Sequence, residues 1–113
     1  MPIFGQKRRF TRKNVEAAPD EPGVYALLAE GEVAYYGSTR GDETIKSRLS
    51  EHLWGRQEPG RGKIKLFSFE VTRFPLSREC ALLEEHKRNN WRLPAYNRPG
   101  VAPAPLEPEA MTA

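Results

Sequence analysis

The stretch GVYALLAEGEVAYYG, residues 23–37, decides the fold. It begins with Gly23-Val24-Tyr25 and ends with Tyr35-Tyr36-Gly37. Both halves are rich in Val, Tyr, Leu and Ala, residues that suit strands, and Glu30-Gly31 between them is a turn signal. The stretch therefore predicts a β-hairpin with strands over 23–29 and 32–37.

The residues after the hairpin predict a helix and a third strand. Asp42 or Thr44 can cap a helix that runs to about Trp54, because Ile45, Leu49, His52 and Leu53 recur at helical spacing. Residues 66–72 alternate aromatic and β-branched side chains with polar ones, which is typical of a strand.

A second helix follows this strand. Pro75 ends the strand, and Ser77 can cap a helix that carries Ala81, Leu82 and Leu83 as far as Trp91. We therefore expect an α/β fold with a small three-stranded antiparallel or mixed sheet flanked by helices.

The chain divides into three segments. Residues 1–20 form a basic N-terminal arm, irregular or with one short helix around residues 12–17, and residues 21–98 form the compact domain. Residues 99–113 are rich in Pro and Ala without apolar periodicity, so we expect a disordered tail. Two glycines and Pro59 within residues 55–62 predict a mobile connection.

Composition limits the classes of protein and of metal site. No apolar run approaches the ~20 residues that span a bilayer, and the basic N-terminus lacks the apolar stretch of a signal peptide, so we expect a soluble cytoplasmic protein. Cys80 is the only cysteine, and with two histidines it cannot complete a closed zinc site. We expect Cys80 to be a small core residue of a helix, and any metal to be a hard ion with oxygen ligands, Mg²⁺ or Mn²⁺.

The charge distribution favours nucleic acid as a partner. The net charge of +3 includes two acids and no base in residues 99–113, so the rest of the chain is more basic than this value indicates. The basic residues concentrate in two clusters, one at Lys7, Arg8, Arg9, Arg12 and Lys13 and the other at Arg56, Arg61, Lys63 and Lys65. Such clusters attract a phosphate backbone without reading its sequence, although they also serve as a solvated surface.

The two tripeptides resemble those of the GIY-YIG endonuclease superfamily, and the similarity covers about residues 21–98. Further residues follow in the order and spacing of that family: Arg48 and His52 on the first helix, and Glu85 followed after twelve residues by Asn97. Tyr36 departs from the family pattern, which has an aliphatic residue there. The loop between Gly37 and Arg48 is also longer than in the excision-repair branch.

The resemblance implies a divalent-metal-dependent endonuclease that hydrolyses phosphodiester bonds in DNA. It implies that one of Tyr25 and Tyr35 activates the water while the other orients it or binds phosphate. Glu85 would hold one Mg²⁺ or Mn²⁺ together with waters, and Asn97 would hold the site in place.

Physical chemistry supports roles for the helical residues. Arg48 and His52, at i and i+4, reach the same region, and a guanidinium can fork two phosphate oxygens of a transition state while a histidine can relay a proton. Glu85 follows Ala81 and Leu82 at helical spacing, where a carboxylate is costly unless it is paired or bound to a metal. An ion pair with Arg48 or another base is the alternative interpretation for Glu85.

The register of the hairpin is open at this point. A two-residue turn at Glu30-Gly31 sets Tyr25 opposite Tyr36 and sends Tyr35 to the other face, whereas a bulge or a longer turn returns Tyr35 to the face of Tyr25.

Substrate contacts and partners are also predicted. Candidate residues for binding the DNA backbone are Arg40, Lys46, Arg56, Arg61, Lys63 and Lys65. Specificity would come from the arm, the loops, a transient homodimer or a protein partner. The alternatives are a catalytically inactive nucleic-acid-binding module of the same fold and a regulator that uses the scaffold without nucleic acid.

Overall fold

Four antiparallel strands form one sheet with helices on both of its faces, in a computed structural model that describes residues 6–54 and 63–97. The elements are β1 (Arg8–Arg9), α1 (Arg12–Glu16), β2 (Gly23–Ala29), β3 (Glu32–Ser38), α2 (Ile45–Trp54), β4 (Leu66–Val71), α3 (Pro75–Asn90) and a 3₁₀ turn (Ala95–Asn97). The strand order is β1-β4-β2-β3. The predicted α/β class with an antiparallel sheet is confirmed, and so are the hairpin, the third predicted strand and both helices.

The predicted strand count was wrong by one short strand. Residues 8 and 9 pair with Phe67 and Leu66 of β4, so the sheet has four strands instead of three. A two-residue strand inside a basic run has no alternating pattern, and its pairing rests on backbone groups that every residue carries.

Part of the segment assigned to a basic arm packs into the domain. The short helix predicted there is α1, and its Thr11 hydroxyl accepts a hydrogen bond from the Asn14 backbone N–H at 3.3 Å. Val15 and Ala18 are buried in the same cluster as residues of β2 and α2. Residues 8–18 thus cover one end of the core on the α2 side.

The hairpin turn has two residues, as the Glu30-Gly31 signal predicts. Both have positive φ, 54° at Glu30 and 82° at Gly31, which is the conformation of the tight turns whose twist matches that of the strands. Gly31 takes this φ at little cost because it has no Cβ. Among the described residues other than glycine, only Glu30 and Trp91 have positive φ.

A β-bulge follows the turn and resolves the register. Leu27 pairs with Tyr35 but Leu28 pairs with Val33, so Ala34 is the extra residue on β3. One extra residue in a strand shifts the alternation by one position, so every side chain beyond it changes to the other face of the sheet. Tyr35 therefore shares a face with Tyr25, and Tyr36 lies on the opposite one.

The sheet separates two apolar clusters. The first, under α1 and α2, contains Val15, Ala18, Tyr25, Leu27, Ala34, Tyr35, Ile45, Leu49, Ile64 and Phe67. The second, under α3, contains Val24, Ala26, Leu28, Tyr36 and Leu82. We call these sides the α2 face and the α3 face.

The helix starts agree with the sequence at α2 but not at α3. The Thr44 hydroxyl accepts a hydrogen bond from the Ser47 N–H at 3.1 Å, and the Ser47 hydroxyl accepts one from the Thr44 N–H at 2.9 Å. At α3 the predicted Ser77 cap was wrong, because the helix begins at Pro75 and Phe74 precedes it without a side-chain cap. Proline at the first helical position has φ already set for a helix, which replaces the cap.

Cys80 is exposed on α3, so the prediction of a core cysteine was wrong. The buried side of α3 is marked by Leu82, two residues further on. Two residues correspond to about 200° around a helix, which turns Cys80 to solvent.

The predicted connection at residues 55–62 and the predicted tail at 99–113 lie outside the described residues. In residues 6–54 and 63–97 no helix is long and apolar enough to cross a membrane.

Candidate active site

Three polar rings meet on the α2 face. The centroids of Tyr25 and Tyr35 are 6.3 Å apart, and the His52 ring lies 5.3 Å from Tyr25 and 5.5 Å from Tyr35. All three side chains belong to buried residues, of which Tyr35 retains 5% exposure. The bulge on β3 and the helical position of His52 bring together residues up to 27 positions apart in the chain.

A short hydrogen bond links two of the rings. The Tyr25 hydroxyl and His52 Nε2 are 2.7 Å apart. With Nε2 unprotonated the tyrosine donates, and a proton leaving the phenol then has an acceptor within hydrogen-bond distance. The pair therefore gives a proton a short path between the phenol and the imidazole.

Gly37 accommodates the Tyr25 ring. A Cβ at Gly37 would lie 2.8 Å from Tyr25 Cε2 and still closer to the phenol oxygen. The glycine of the second tripeptide is thus needed for close approach and not for a turn, because Gly37 pairs with Tyr25 across regular β-sheet. It allows the Tyr25 side chain to lie flat across β3 toward His52.

Arg48 lies one helical turn before His52 and is 1% exposed. Its Nη1 is 3.6 Å from a Glu43 carboxylate oxygen and 3.8 Å from one of Glu51. These are loose ion pairs, and both carboxylates are partly exposed. The guanidinium is therefore held in the core with partners that a phosphate can replace in part.

Asn97 holds the open edge of β3. Its Oδ1 accepts a hydrogen bond from the Tyr36 N–H at 2.9 Å, and its Nδ2 donates one to the Tyr36 carbonyl at 3.1 Å. The side chain thus pairs with the outer strand as another strand would. It fixes the backbone between Tyr35 and Gly37.

Glu85 lies on the α3 face. It is half-buried on α3 and interacts electrostatically with Tyr36 and Arg78. Burial raises the pKa of the Tyr36 phenol, Glu85 raises it further, and Arg78 opposes both effects. Bonding to Glu70 raises the pKa of Arg78, whose Nε and Nη2 lie 2.7 and 3.1 Å from the two Glu70 carboxylate oxygens.

Among the comparisons with known proteins, only the one with solved structures finds matches, and those reported below are structures of one domain. No family model and no curated protein matches the chain. Among solved structures, the GIY-YIG N-terminal endonuclease domain of UvrC from Thermotoga maritima, bound to its catalytic divalent cation magnesium, aligns with a TM-score of 0.57 and 25% identity, covering 67% of this chain and 89% of that one. This chain has the GIY-YIG nuclease fold.

Variants of the same domain also align. A Tyr-to-Phe variant bound to its catalytic divalent cation gives a TM-score of 0.57 at 25% identity and covers 67% of this chain and 88% of that one. An Asn-to-Ala variant, likewise with the cation, gives 0.56 at 24% over the same shares.

The GIY-YIG elements divide the predicted site residues between the two faces. Tyr25, Tyr35, Arg48 and His52 come together on the α2 face, whereas Glu85 lies on the α3 face and Asn97 at the edge between them. β3 connects the two groups, because its successive residues Tyr35 and Tyr36 face opposite sides. Of the bases that the alternative interpretation allowed as partners of Glu85, Arg78 interacts with it electrostatically.

Glu85 fits a hard divalent ion in the GIY-YIG fold. No three His, Cys, Asp or Glu side chains of the described ranges lie together in a way that could hold a metal. Mg²⁺ keeps several waters and commonly takes only one or two protein carboxylates. A single half-buried carboxylate therefore suits Mg²⁺, whereas it could not retain zinc.

The predicted backbone-binding residues are spread over the surface. Arg40 and Lys46 are half-buried near the start of α2, and Lys63 and Lys65 are exposed before β4. Arg56 and Arg61 lie outside the described residues. The Arg40 backbone N–H donates to Glu43 at 2.7 Å, so the loop before α2 has a defined shape.

The sequence analysis missed the polar side of α3. The Ser38 hydroxyl donates a short hydrogen bond to a carboxylate oxygen of Glu79, and Arg78 forks Glu70. A signal was available in the helical spacing of Arg78, Leu82 and Glu85 on one side of α3. Its partners on β3 and β4 could not be identified without the sheet order.

Proposed function

We propose that the chain is a divalent-metal-dependent endonuclease that hydrolyses phosphodiester bonds in DNA. The observation that carries the proposal is the buried Tyr25–His52 hydrogen bond beside Tyr35 and Arg48 within a GIY-YIG fold. A core that keeps four polar side chains together at the expense of apolar packing supports a chemical role for these groups. The catalytic unit of the proposal is residues 21–98, supported by residues 8–18.

Arg48 is assigned to charge stabilisation. Its guanidinium presents two parallel N–H donors, and the surrounding burial strengthens their interaction with a phosphorane-like oxygen. The carboxylates of Glu43 and Glu51 hold it in position until substrate is bound.

Tyrosine and histidine are assigned to water activation. A phenol with an ordinary pKa of about 10 is a weak base at neutral pH, and His52 compensates by accepting the Tyr25 proton. Tyr35 is the more exposed of the two tyrosines, which suits contact with the attacking water or with phosphate. We assign the pair, not one residue, as the activating unit.

Glu85 is assigned to the metal. A bound Mg²⁺ or Mn²⁺ would neutralise charge on the departing oxygen. Glu85 is half-buried on α3 and interacts with Tyr36 of β3, and Arg78 is a nearby positive charge.

The open edge of β3 is the proposed place of reaction. β3 is the last strand of the sheet, so a phosphate bound along its edge would lie between the side chains of the two faces. Asn97 keeps this edge straight through its two hydrogen bonds to Tyr36. Arg40, Lys46, Lys63 and Lys65 would contact flanking phosphates, together with Arg56 and Arg61.

Cleavage of supercoiled plasmid tests the proposal. Purified protein in Mg²⁺ or Mn²⁺ is expected to nick the plasmid, and EDTA to stop it. Glu85→Ala and Arg48→Ala are each expected to lower the rate by about 10²-fold or more. Glu84→Ala, an exposed neighbour on the same helix, is the matched control and is expected to cleave normally.

The outcomes separate the two candidate functions. Burial of Tyr25, Arg48 and His52 also suits a purely structural core, which favours the inactive nucleic-acid-binding module as the second candidate. Salt-sensitive DNA binding without cleavage in either metal would support that module and contradict the nuclease. One site per chain predicts nicking at low protein concentration and linear product only as a second chain, or a protein partner, engages.

A further inference from the structure

Trp91 combines full exposure with an unfavourable backbone conformation. It follows the last residue of α3, is 93% exposed and has φ 67°, ψ 5°. The left-handed region at the end of a helix is normally taken by glycine, because a Cβ costs energy there. An aromatic side chain in this position gains almost no burial in return, so the folded chain alone does not account for it.

The turn that presents Trp91 is fixed on both sides. His86 Nδ1 lies 3.0 Å from the Arg92 carbonyl, to which it donates, and Asn90 Nδ2 donates to the His86 carbonyl at 3.0 Å. The His86 ring in turn packs edge-on against Tyr36 at 6.2 Å. The turn that carries the indole is therefore held by side-chain hydrogen bonds, and it contacts β3 through the His86 and Tyr36 rings.

The residues around Trp91 are basic. Lys87, Arg88 and Arg92 are exposed, and residues 86–92 contain no acid. Lys87 and Arg88 also complement the negative end of the helix dipole, but this effect does not require an aromatic residue. Asn90 and Arg92 also line a cleft together with Lys63, Glu30 and Glu32.

We propose that Trp91 is a stacking platform for an unpaired base of single-stranded DNA, with Lys87, Arg88 and Arg92 holding the adjacent phosphates. An exposed indole offers a flat face to any base, and only a base outside a duplex has a free face to offer in return. Trp91 is six residues after Glu85, about 9 Å along a helix axis. The inference rests on the proposed function in one respect, that the strand held here belongs to the DNA being cut.

Binding of labelled ten-nucleotide oligo-dT, measured by fluorescence anisotropy in EDTA and low salt, tests the platform. Trp91→Gly is expected to weaken binding by about tenfold and Trp91→Phe by much less, because phenylalanine keeps a ring. Blunt duplex of the same length should be affected less than twofold by either change. Trp54→Phe, at the other exposed tryptophan, is the matched control and should bind as the wild type does.

Trp91→Gly also excludes a structural explanation. Glycine suits positive φ, so this variant should melt at the wild-type temperature or above it. Oligo-dT binding within twofold of wild type in Trp91→Gly would overturn the platform, as would equal weakening on duplex, which would indicate a general phosphate contact.

Plasmid cleavage by the same variants keeps the two proposals distinguishable. Metal-dependent cleavage together with unchanged oligo-dT binding in Trp91→Gly would overturn the stacking proposal and support the nuclease proposal. If the wild type does not cleave plasmid but its oligo-dT binding depends on Trp91, the nuclease proposal is overturned and the stacking proposal is supported. A wild type that binds no DNA at low salt removes both.

Discussion

The α2 face and the α3 face of the sheet carry similar polar side chains in opposite settings. On the α2 face Tyr25, Arg48 and His52 are at most 1% exposed, and on the α3 face Arg78, Glu70 and Glu85 are only partly buried. Tyr25 and His52 bond to each other within the core, whereas the second group pairs near solvent. The groups proposed to act on protons and charge are thus kept dry, while the carboxylate proposed to bind a hydrated ion has access to water.

This difference has an energetic consequence. Buried polar groups in close contact stabilise little or cost stability relative to apolar residues of the same shape, whereas removing one partner leaves the other unsatisfied. Half-exposed pairs such as Arg78 with Glu70 contribute modestly and can be lost with less effect. Activity and stability should therefore be separable on the α2 face.

Arg48→Met gives the largest expected effect and tests that separation directly. Methionine fills a similar volume without a charge, and Glu43 and Glu51 are exposed enough, at 35% and 47%, to be solvated without Arg48. We expect unfolding free energy to change by less than about 1 kcal/mol or to rise, while cleavage falls by about 10³-fold. Urea denaturation and plasmid cleavage measure the two quantities.

Arg48→Lys sharpens the result. It keeps the positive charge but not the planar fork, so most of the activity should still be lost. Wild-type cleavage by the Lys variant would show that Arg48 supplies only charge.

Tyr25→Phe comes next, because it removes one oxygen and keeps the ring. The His52 nitrogen loses its partner at 2.7 Å, so we expect about 1 kcal/mol of destabilisation and about 10²-fold slower cleavage. Single-turnover cleavage rates measured over a range of pH separate the chemical step from substrate binding and product release. The matched variant is Tyr96→Phe, whose residue packs against the same apolar cluster without belonging to the trio of Tyr25, Tyr35 and His52, and it should cleave normally. A Tyr25→Phe enzyme of full activity would assign water activation to Tyr35.

The hairpin shows how far the sequence alone could go. Strands over 23–29 and 32–37 and the Glu30-Gly31 turn follow from composition and turn chemistry, and the family resemblance predicted Tyr25, Arg48 and His52 as site residues. The bulge at Ala34 was not predictable, because alanine suits either strand face and only pairing with β2 shows which residue is extra. Without the bulge, a two-residue turn would place Tyr35 on the α3 face, opposite Tyr25.

The α3 face shows what could not be predicted. For Glu85 the alternative to a metal ligand was an ion pair with Arg48 or another base. Which helix covers which face depends on the sheet order β1-β4-β2-β3, a long-range property that helical periodicity does not contain. Trp91 was predicted only as a helix end. Its positive φ depends on the His86 and Asn90 contacts that the folded turn creates.

Gly37→Ala tests the link between the two faces at β3. The added methyl would overlap the Tyr25 ring and hydroxyl, so we expect about 1–3 kcal/mol of destabilisation and about tenfold slower cleavage as the Tyr25–His52 contact is displaced. The control is Gly41→Ala. Gly41, unlike Gly37, has positive φ, 57°, and it has open space around it, so its variant should lose about 1 kcal/mol and no activity. Equal activity in the two variants would contradict the packing role of Gly37.

Tyr36→Phe is expected to have the smallest effect, and it appears only at high pH. Burial first, and Glu85 second, raise the pKa of Tyr36 in the folded state above the value of about 10 in the unfolded chain. The folded state then retains a proton that the unfolded state has lost, so stability that is complete below pH ~10 declines as pH rises through the folded pKa. Phenylalanine cannot ionise, and the decline between pH 9 and 11 should be shallower in Tyr36→Phe by urea denaturation. Glu85→Gln removes the second cause and should reduce the decline in part, whereas identical slopes in all three proteins would show that the Tyr36 phenol is not coupled to Glu85 on the α3 face.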